Sequence, residues 1–96
     1  MASAAPLTDE QITRELASSR WRREGDWIVR DWKLADFRSA MAFVGRVAEA
    51  AEAADHHPDI LVHGWNRVRL SLTTHSVGAL TDNDVRLART IDELED

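Results

Sequence analysis

The 96-residue chain contains no cysteine, only four glycines and two prolines, and no glycine-rich phosphate loop. Without cysteine the chain cannot form disulfides, thiolate zinc sites or cysteine nucleophiles, which fits a reducing compartment. No apolar run approaches the roughly 18 residues that a membrane span needs. Residues 1–6 also lack the basic start of a secretory signal. We therefore expect a cytoplasmic protein without a membrane segment.

A basic excess is missing as well, because the formal net charge is -5. A protein that binds a nucleic-acid backbone needs clustered positive charge to neutralise phosphates. Arg20, Arg22 and Arg23 do cluster, but Glu24 and Asp26 follow immediately. This pattern is typical of a solvated strand edge, and we expect no nucleic-acid partner.

The length predicts a single domain over residues 1–96, with residues 1–6 flexible and an acidic, frayed carboxyl terminus. Hydrophobic residues make up 44% of the chain. This content supports a thin core, so association with further copies would help stability.

Three helix starts can be located from capping residues. Thr8 with Gln11 three positions later predicts a capping box, and the first helix ends near residues 18–19. Asp36 is the expected cap of a long helix over residues 37–54, which Pro58 terminates. Thr81, with Asp84 three residues on, begins the last helix.

Two strand pairs lie between the helices. The first covers residues 21–34, with a turn at 24–26. The second covers residues 60–65 and 68–75, with Asn66 in the turn. The chain is therefore predicted to be an α+β two-layer sandwich. It has a four-stranded antiparallel sheet with three helices on one face, in the order α-β-β-α-β-β-α. Trp27 and Val29 fall on the opposite face, where a subunit contact is an option. The predicted core contains Ile12, Leu16, Ile28, Trp32, Leu34, Phe37, Ala40, Met41, Val44, Val47, Ala48, Ala51, Val68, Leu70, Leu72, Val85, Leu87, Ala88, Ile91 and Leu94.

Polar residues concentrate around the junction of the long helix and the third strand. Imidazoles exchange protons near neutral pH, and a carboxylate that hydrogen-bonds a ring fixes its tautomer. A metal site is a competing interpretation, but adjacent histidines diverge and lack the i, i+4 spacing of helical zinc ligands. Ser71 and Ser76 lack the surroundings of an activated serine nucleophile. The candidates are Glu52, Asp55, His56, His57, Pro58, Trp65, His75 and Asp84.

The spacing of these residues resembles the signature of the pterin-4a-carbinolamine dehydratases. The signature runs Glu52, three residues, His56-His57-Pro58, a short gap, Trp65, nine residues, His75, eight residues and Asp84. The similarity extends over residues 7–94 and includes the stretch Leu-Ser-Leu-Thr-Thr-His at residues 70–75. Trp65 occupies a position where the family has an aromatic residue.

The resemblance implies a hydro-lyase that dehydrates 4a-hydroxytetrahydrobiopterin to quinonoid dihydropterin during tetrahydrobiopterin recycling, without metal or organic cofactor. By this resemblance His56 and His75 act as general acids, and His57 positions the substrate and assists as a base. The substrate-binding or orienting residues are Glu52, Asp55, Pro58, Trp65, Thr73 and Asp84.

The implied partners are the pterin, further copies in a homodimer or homotetramer, and an aromatic amino-acid hydroxylase. Two alternatives from other classes stay open. The chain could be a pterin-binding protein without turnover, or a protein-interaction module comparable to the transcriptional cofactors in this family.

Overall fold

A computed structural model describes residues 5–94. Over this range the chain forms three helices, α1 (Asp9–Leu16), α2 (Phe37–Ala54) and α3 (Asp82–Asp92). The four strands are β1 (Arg22–Glu24), β2 (Trp27–Lys33), β3 (Asp59–His63) and β4 (Arg67–Leu72). The predicted order α-β-β-α-β-β-α is confirmed. The predicted flexibility of residues 1–6 falls largely on residues 1–4, which lie outside the described range, as does the end of the acidic tail.

The strands pair antiparallel in the order β1-β2-β4-β3, which leaves β1 and β3 at the edges. Ile28 pairs with Leu72 and Trp32 with Val68, so the apolar residues of the two central strands share one face. Residues from all three helices join these side chains in one buried cluster, so the helices cover this face. No helix in residues 5–94 has the length and apolar character that crossing a membrane requires.

The predicted caps are present. Thr8 and Gln11 form a reciprocal capping box at α1, and Thr81 and Asp84 form another at α3. The Asp36 side chain accepts a hydrogen bond from the Ser39 amide, and this bond lowers the pKa of Asp36. The helix starts were therefore encoded locally.

The buried face of α2 differs from the predicted one. Phe37 and Met41 are about half exposed and Ala48 is exposed, whereas Phe43, which the prediction omitted, is fully buried. The Phe43 ring lies 5.0 Å from the Trp32 ring, measured between centroids. This large aromatic contact rotates the helix so that residues 40, 43, 47 and 51 face the sheet. The apolar residues at 37 and 41 are left on the surface.

The sheet face opposite the helices is only partly covered, since Leu61 on this face is 50% exposed. Val29 is 3% exposed, so the predicted subunit contact through Val29 is wrong. Trp27 is half-buried. Beside them Asp31 accepts hydrogen bonds from Arg69 and Arg22. These bonds lower the pKa of Asp31, and the bond from Arg69 has the larger effect. Charged side chains therefore lie beside the apolar ones on this face.

The core face contains a charged group that was not among the predicted core residues. Arg30 is buried and pairs with Asp92 at 2.5 Å, with its guanidinium 4.4 Å from the centre of the Trp32 ring. The Trp21 ring N–H donates to the same Asp92 oxygen at 2.8 Å. This pairing holds the end of α3 against the sheet, because the buried guanidinium needs its counter-charge.

The β3–β4 turn corrects one further expectation. Gly64 and Trp65 adopt positive φ, at 54° and 58°, whereas Asn66 does not. Asn66 is buried instead. Its side-chain amide donates to the Leu34 backbone carbonyl, and its backbone carbonyl accepts from the Leu34 backbone amide. Asn66 therefore fastens the turn to the end of β2.

Candidate active site

The carboxyl end of α2 determines where the two adjacent histidines point. Asp55 has φ 52° and ψ 42°, the left-handed conformation that commonly ends helices. Its amide donates to the Glu52 carbonyl, and the His56 amide donates to the Ala51 carbonyl at 3.1 Å. These two bonds form a Schellman motif with aspartate in the position that glycine usually holds. The chain reverses here, and His56 and His57 leave the helix in different directions.

His56 points inward and meets Asp84. The ring Nε2 lies 2.5 Å from Asp84 Oδ1. The His56 side chain is 12% exposed and the Asp84 side chain is fully buried. A carboxylate accepts only, so Nε2 carries a hydrogen and is the donor in this bond. Within residues 5–94 no protein group hydrogen-bonds Nδ1, so this second nitrogen is available for proton exchange with a ligand.

The second oxygen of Asp84 is also satisfied. Asp84 Oδ2 accepts from the Thr74 hydroxyl at 2.8 Å and from the Thr81 amide at 2.9 Å. Thr74 and Thr81 are buried, and their hydroxyl oxygens lie 2.7 Å apart. Asp84 is therefore held on both sides, and the direction in which it presents Oδ1 to His56 is fixed.

His57 points outward and pairs with Glu52. His57 Nε2 lies 2.6 Å from Glu52 Oε2, and both side chains are exposed. Glu52 lies one helical turn before His56, a spacing at which its carboxylate can face an imidazole, but the ring it pairs with is that of His57. An exposed pair of this kind contributes little stability, but it does orient the ring.

His75 begins a tight loop that follows β4. The Thr74 amide donates to the Ala79 carbonyl, and the Thr74 carbonyl accepts from the Val77 and Gly78 amides. The exposed His75 ring packs edge-on against Trp27, with centroids 5.5 Å apart. Because Thr74 bonds Asp84 and Asp84 bonds His56, one chain of contacts connects His75 and His56 at the same end of the sheet.

The structure places two further predicted residues close to this end. The Thr73 hydroxyl donates to the Asp26 carbonyl at 2.6 Å and so ties β4 to the β1–β2 turn. Pro58 is half-buried directly before β3.

Trp65 does not lie at the histidine end within one chain. It occupies the tip of the β3–β4 hairpin, whereas His56, His57 and His75 flank the hairpin's open end. Five residues of strand span about 16 Å, so the tip is well removed from the histidines. Trp65 is 61% exposed and has a left-handed backbone that large residues seldom adopt.

The sequence predicted Asp84 and Thr81 as a capping pair and Asp84 as an orienting residue, but it did not identify His56 as the partner of Asp84 and did not select Thr74. The adjacent Thr73 was selected instead. Only the alternation of side chains along β4, read together with the cap of α3, could have indicated that Thr74 points towards Asp84. The described residues also contain no group of three or more side chains that could hold a metal ion.

The chain is similar to known proteins over nearly its whole length. Residues 5–94 match the family model described as pterin 4 alpha carbinolamine dehydratase. A relative from Thermomicrobium roseum carrying this family's name is 55% identical over 94 residues, covering 98% of each chain. Another from Nocardia farcinica is 52% identical over 89 residues, covering 92% of this chain and 93% of the relative.

Two solved structures have the same fold. A Brucella melitensis protein described as a transcriptional coactivator/pterin dehydratase superposes with a TM-score of 0.87 at 31% identity, covering 94% of this chain and 98% of that one. A pterin dehydratase-like protein described as a RuBisCO assembly factor superposes with a TM-score of 0.65 at 21% identity, covering 77% and 87%, which shows the fold alone. The match over residues 5–94 and the identity to these relatives show that the chain belongs to the pterin-4a-carbinolamine dehydratase family.

Proposed function

We propose that this protein is a hydro-lyase that dehydrates 4a-hydroxytetrahydrobiopterin to quinonoid dihydropterin in tetrahydrobiopterin recycling. The observation that carries the proposal is the pairing of His56 with the fully buried carboxylate of Asp84. Membership of the family supplies the substrate class. A buried carboxylate that accepts from one ring nitrogen fixes the tautomer of its partner, and so determines which nitrogen faces the ligand.

The reaction needs two proton transfers and no change in oxidation state. The bond from C4a to the hydroxyl oxygen breaks, the leaving hydroxyl takes up a proton to become water, and N5 loses its proton. In the proposed mechanism His56 and His75 are the general acids and His57 positions the pterin and assists as a base. Because Asp84 occupies Nε2 of His56, the transferred proton leaves from Nδ1.

The remaining residues orient these rings or border the substrate. Glu52 orients His57 through the bond to Nε2. Asp55 and Pro58 shape the reversal that separates His56 from His57, and Thr73 holds the end of β4 beside His75. We assign the protein no metal or organic cofactor, since acid–base groups supply both proton transfers.

We further propose that the protein is a homo-oligomer in which Trp65 reaches the site of another copy. β3 is an edge strand with two exposed apolar side chains, Ile60 and Leu61. Such an edge is a template for pairing with a second chain. If two β3 strands pair antiparallel about a two-fold axis near Leu61, residue 59 of one copy faces residue 63 of the other. Trp65 of one copy is thereby brought near His57 of the other, which explains its exposed, strained position.

Light scattering tests this assembly, because Leu61→Asp places a charge on each paired edge. The expected result is a smaller particle for the variant and a dehydratase activity that falls with it. A wild-type protein that is monomeric at micromolar concentration contradicts the assembly without affecting the assignment of the histidines.

The enzymatic assignment is tested by following the absorbance of the 4a-carbinolamine with and without the protein. The protein is expected to accelerate its loss above the spontaneous rate, and exhaustive chelation is expected to leave the rate unchanged. His75→Ala should lose most turnover while its far-ultraviolet dichroism stays that of the wild type, because the ring is exposed. Normal turnover in that variant ends the role of His75 as an acid.

The alternative is a protein-interaction module, and the exposed Phe37 and Met41 on α2 favour it as a second candidate. The Brucella melitensis relative is described as a coactivator as well as a dehydratase. A wild-type protein that recovers a regulator in a pull-down but does not accelerate carbinolamine loss supports this alternative, whereas one that binds pterin without turnover supports a non-catalytic pterin-binding protein. The remaining proposals, a cytoplasmic location and cooperation with an aromatic amino-acid hydroxylase, follow from the recycling reaction and are tested by localisation and by a coupled hydroxylase assay.

A further inference from the structure

The hydroxyl of Thr74 lies between the two parts of the site. Thr74 is 5% exposed, and its hydroxyl contacts Asp84 Oδ2 at 2.8 Å and the Thr81 hydroxyl at 2.7 Å. The next residue is His75, and the far oxygen of Asp84 bonds His56. One side chain is therefore placed to influence both of the histidines proposed as acids.

The direction of each hydrogen bond follows from counting hydrogens. The hydroxyl of Thr74 has one hydrogen, which is donated to Asp84 Oδ2. The bond between the two threonines must then use the hydrogen of Thr81. The Thr81 oxygen in turn accepts from the Asn83 amide. The donors run in one direction, from the start of α3 through Thr81 and Thr74 to the carboxylate.

In this arrangement both carboxylate oxygens of Asp84 act only as acceptors. Three donors reach it, from His56, Thr74 and the Thr81 amide, and no acceptor among residues 5–94 competes for it. Without the Thr74 hydrogen, the Thr81 amide is the one donor among residues 5–94 that still reaches Oδ2, and the carboxylate can rotate about its side-chain bonds. The hydrogen bond that Asp84 Oδ1 accepts from Nε2 of His56 then becomes less well oriented.

The backbone of Thr74 is held independently of the hydroxyl. Its amide donates to the Ala79 carbonyl, and its carbonyl accepts from the Val77 and Gly78 amides. The loop that carries His75 therefore does not need the hydroxyl for its shape. If Thr74 served only to fold this loop, its hydroxyl would not be needed. The hydroxyl is nevertheless buried and hydrogen-bonded to Asp84, which indicates a different role.

We propose that Thr74 is a positioning residue, which fixes through Asp84 the tautomer and the orientation of His56. The proposal rests on the proposed dehydratase function, because only that function gives His56 a proton to transfer. It assigns Thr74 no contact with the substrate.

The test compares Thr74→Val, which keeps the shape and removes the hydroxyl, with Thr74→Ser, which keeps the hydroxyl. The valine variant is expected to lose about 10-fold in kcat with KM within about two-fold of the wild type, as expected when an outer partner of a catalytic histidine is lost. The serine variant is expected to recover most of kcat. The alkaline limb of the pH profile of kcat, where a general acid loses its proton, should also move in the valine variant and return in the serine variant.

A second readout does not need turnover. The ¹⁵N shifts of the His56 ring nitrogens report which nitrogen carries the hydrogen, and the Nε2 hydrogen in the short bond to Asp84 gives a separate proton signal. Thr74→Val should mix the two tautomers and weaken this signal. Thr73→Val is the matched control for the spectrum, because it removes a neighbouring buried hydroxyl that bonds Asp26 instead. If Thr74→Val does not fold, Thr74→Cys provides the same comparison, since a thiol is only a weak donor.

The outcomes separate the two proposals. An unchanged His56 spectrum and an unchanged kcat in a folded Thr74→Val protein overturn the positioning role and leave the dehydratase intact. A wild-type protein without turnover overturns the dehydratase, while an altered His56 spectrum in Thr74→Val still demonstrates the coupling through Asp84. A loss of kcat that serine does not restore also counts against the proposal.

Discussion

Replacing Asp84 with asparagine is expected to reverse the tautomer of His56. The amide has the size of the carboxylate but offers one acceptor and one donor group. Oδ2 receives two donors, from Thr74 and from the Thr81 amide, so the amide oxygen will take that side. The amide nitrogen then faces Nε2 of His56, which lies 2.5 Å from the carboxylate oxygen in the wild type. Two donors cannot share a hydrogen bond, so Nε2 must give up its hydrogen and Nδ1 must take it.

The expected magnitude follows from the role of the lost charge. The corresponding carboxylate-to-amide change in a serine protease lowers kcat about 10⁴-fold, because the ring nitrogen that must accept a proton already carries one. His56 is a proposed acid, and here the amide disfavours the acid form, because a ring with hydrogens on both nitrogens would face the amide N–H with a second donor. One of two proposed acids is affected here, so we expect a loss of about 10²- to 10³-fold in kcat. The free energy of unfolding should fall by only about 1–2 kcal/mol, because the two bonds to Oδ2 persist with a neutral acceptor.

Three measurements on Asp84→Asn check this reasoning. Carbinolamine decay gives kcat, the ¹⁵N shifts of the His56 ring give the tautomer, and denaturant unfolding gives the stability. The matched control is Asp82→Asn, which changes an exposed carboxylate in the same helical turn whose partner is Arg86. Turnover within about three-fold of wild type, in a variant whose His56 hydrogen has moved to Nδ1, would refute the tautomer argument.

Two further predictions concern the supports of the site. Asp55→Ala should lower the free energy of unfolding by about 1 kcal/mol while Asp55→Gly costs less, because alanine tolerates the left-handed conformation poorly and glycine tolerates it well. Equal denaturation midpoints for the two variants would contradict this. Because hydrogen bonds lower the pKa values of Asp36 and Asp31 from 3.8, both favour the folded state above about pH 4, and that stability is lost as the pH falls through the folded-state values. Asp36→Ala should therefore flatten the fall in thermal midpoint between pH 5 and pH 2, roughly the range over which these carboxylates protonate, and an unchanged slope would show that the cap is not titrating.

The local signals in the sequence predicted the elements well. The capping boxes at Thr8 and Thr81 and the cap at Asp36 depend on residues three positions apart, so they act before any tertiary contact forms. The alternation along β2 and β4 identified Ile28, Trp32, Val68, Leu70 and Leu72 as core residues for the same reason. The α+β order followed directly from these elements.

Periodicity was less successful on α2. An alanine-rich helix offers several apolar stripes, and spacing alone does not choose between one through Phe37 and Met41 and one through Phe43. The contact between Phe43 and Trp32 determines which stripe faces the sheet. The prediction for the turn at residues 64–66 was wrong for a similar reason, since the Asn66 side chain donates a hydrogen bond to the distant Leu34 carbonyl.

The sequence by itself determined which chemical groups this protein has, where its helices begin and which family its signature resembles. The tertiary structure decided how the groups pair: His56 with Asp84, His57 with Glu52, and Thr74 with Asp84. The physical reason is that each helix cap and each strand face is set by neighbours within about four residues. The bond between His56 and Asp84 joins residues 28 positions apart, and it exists only because the sheet brings the end of α2 against the start of α3.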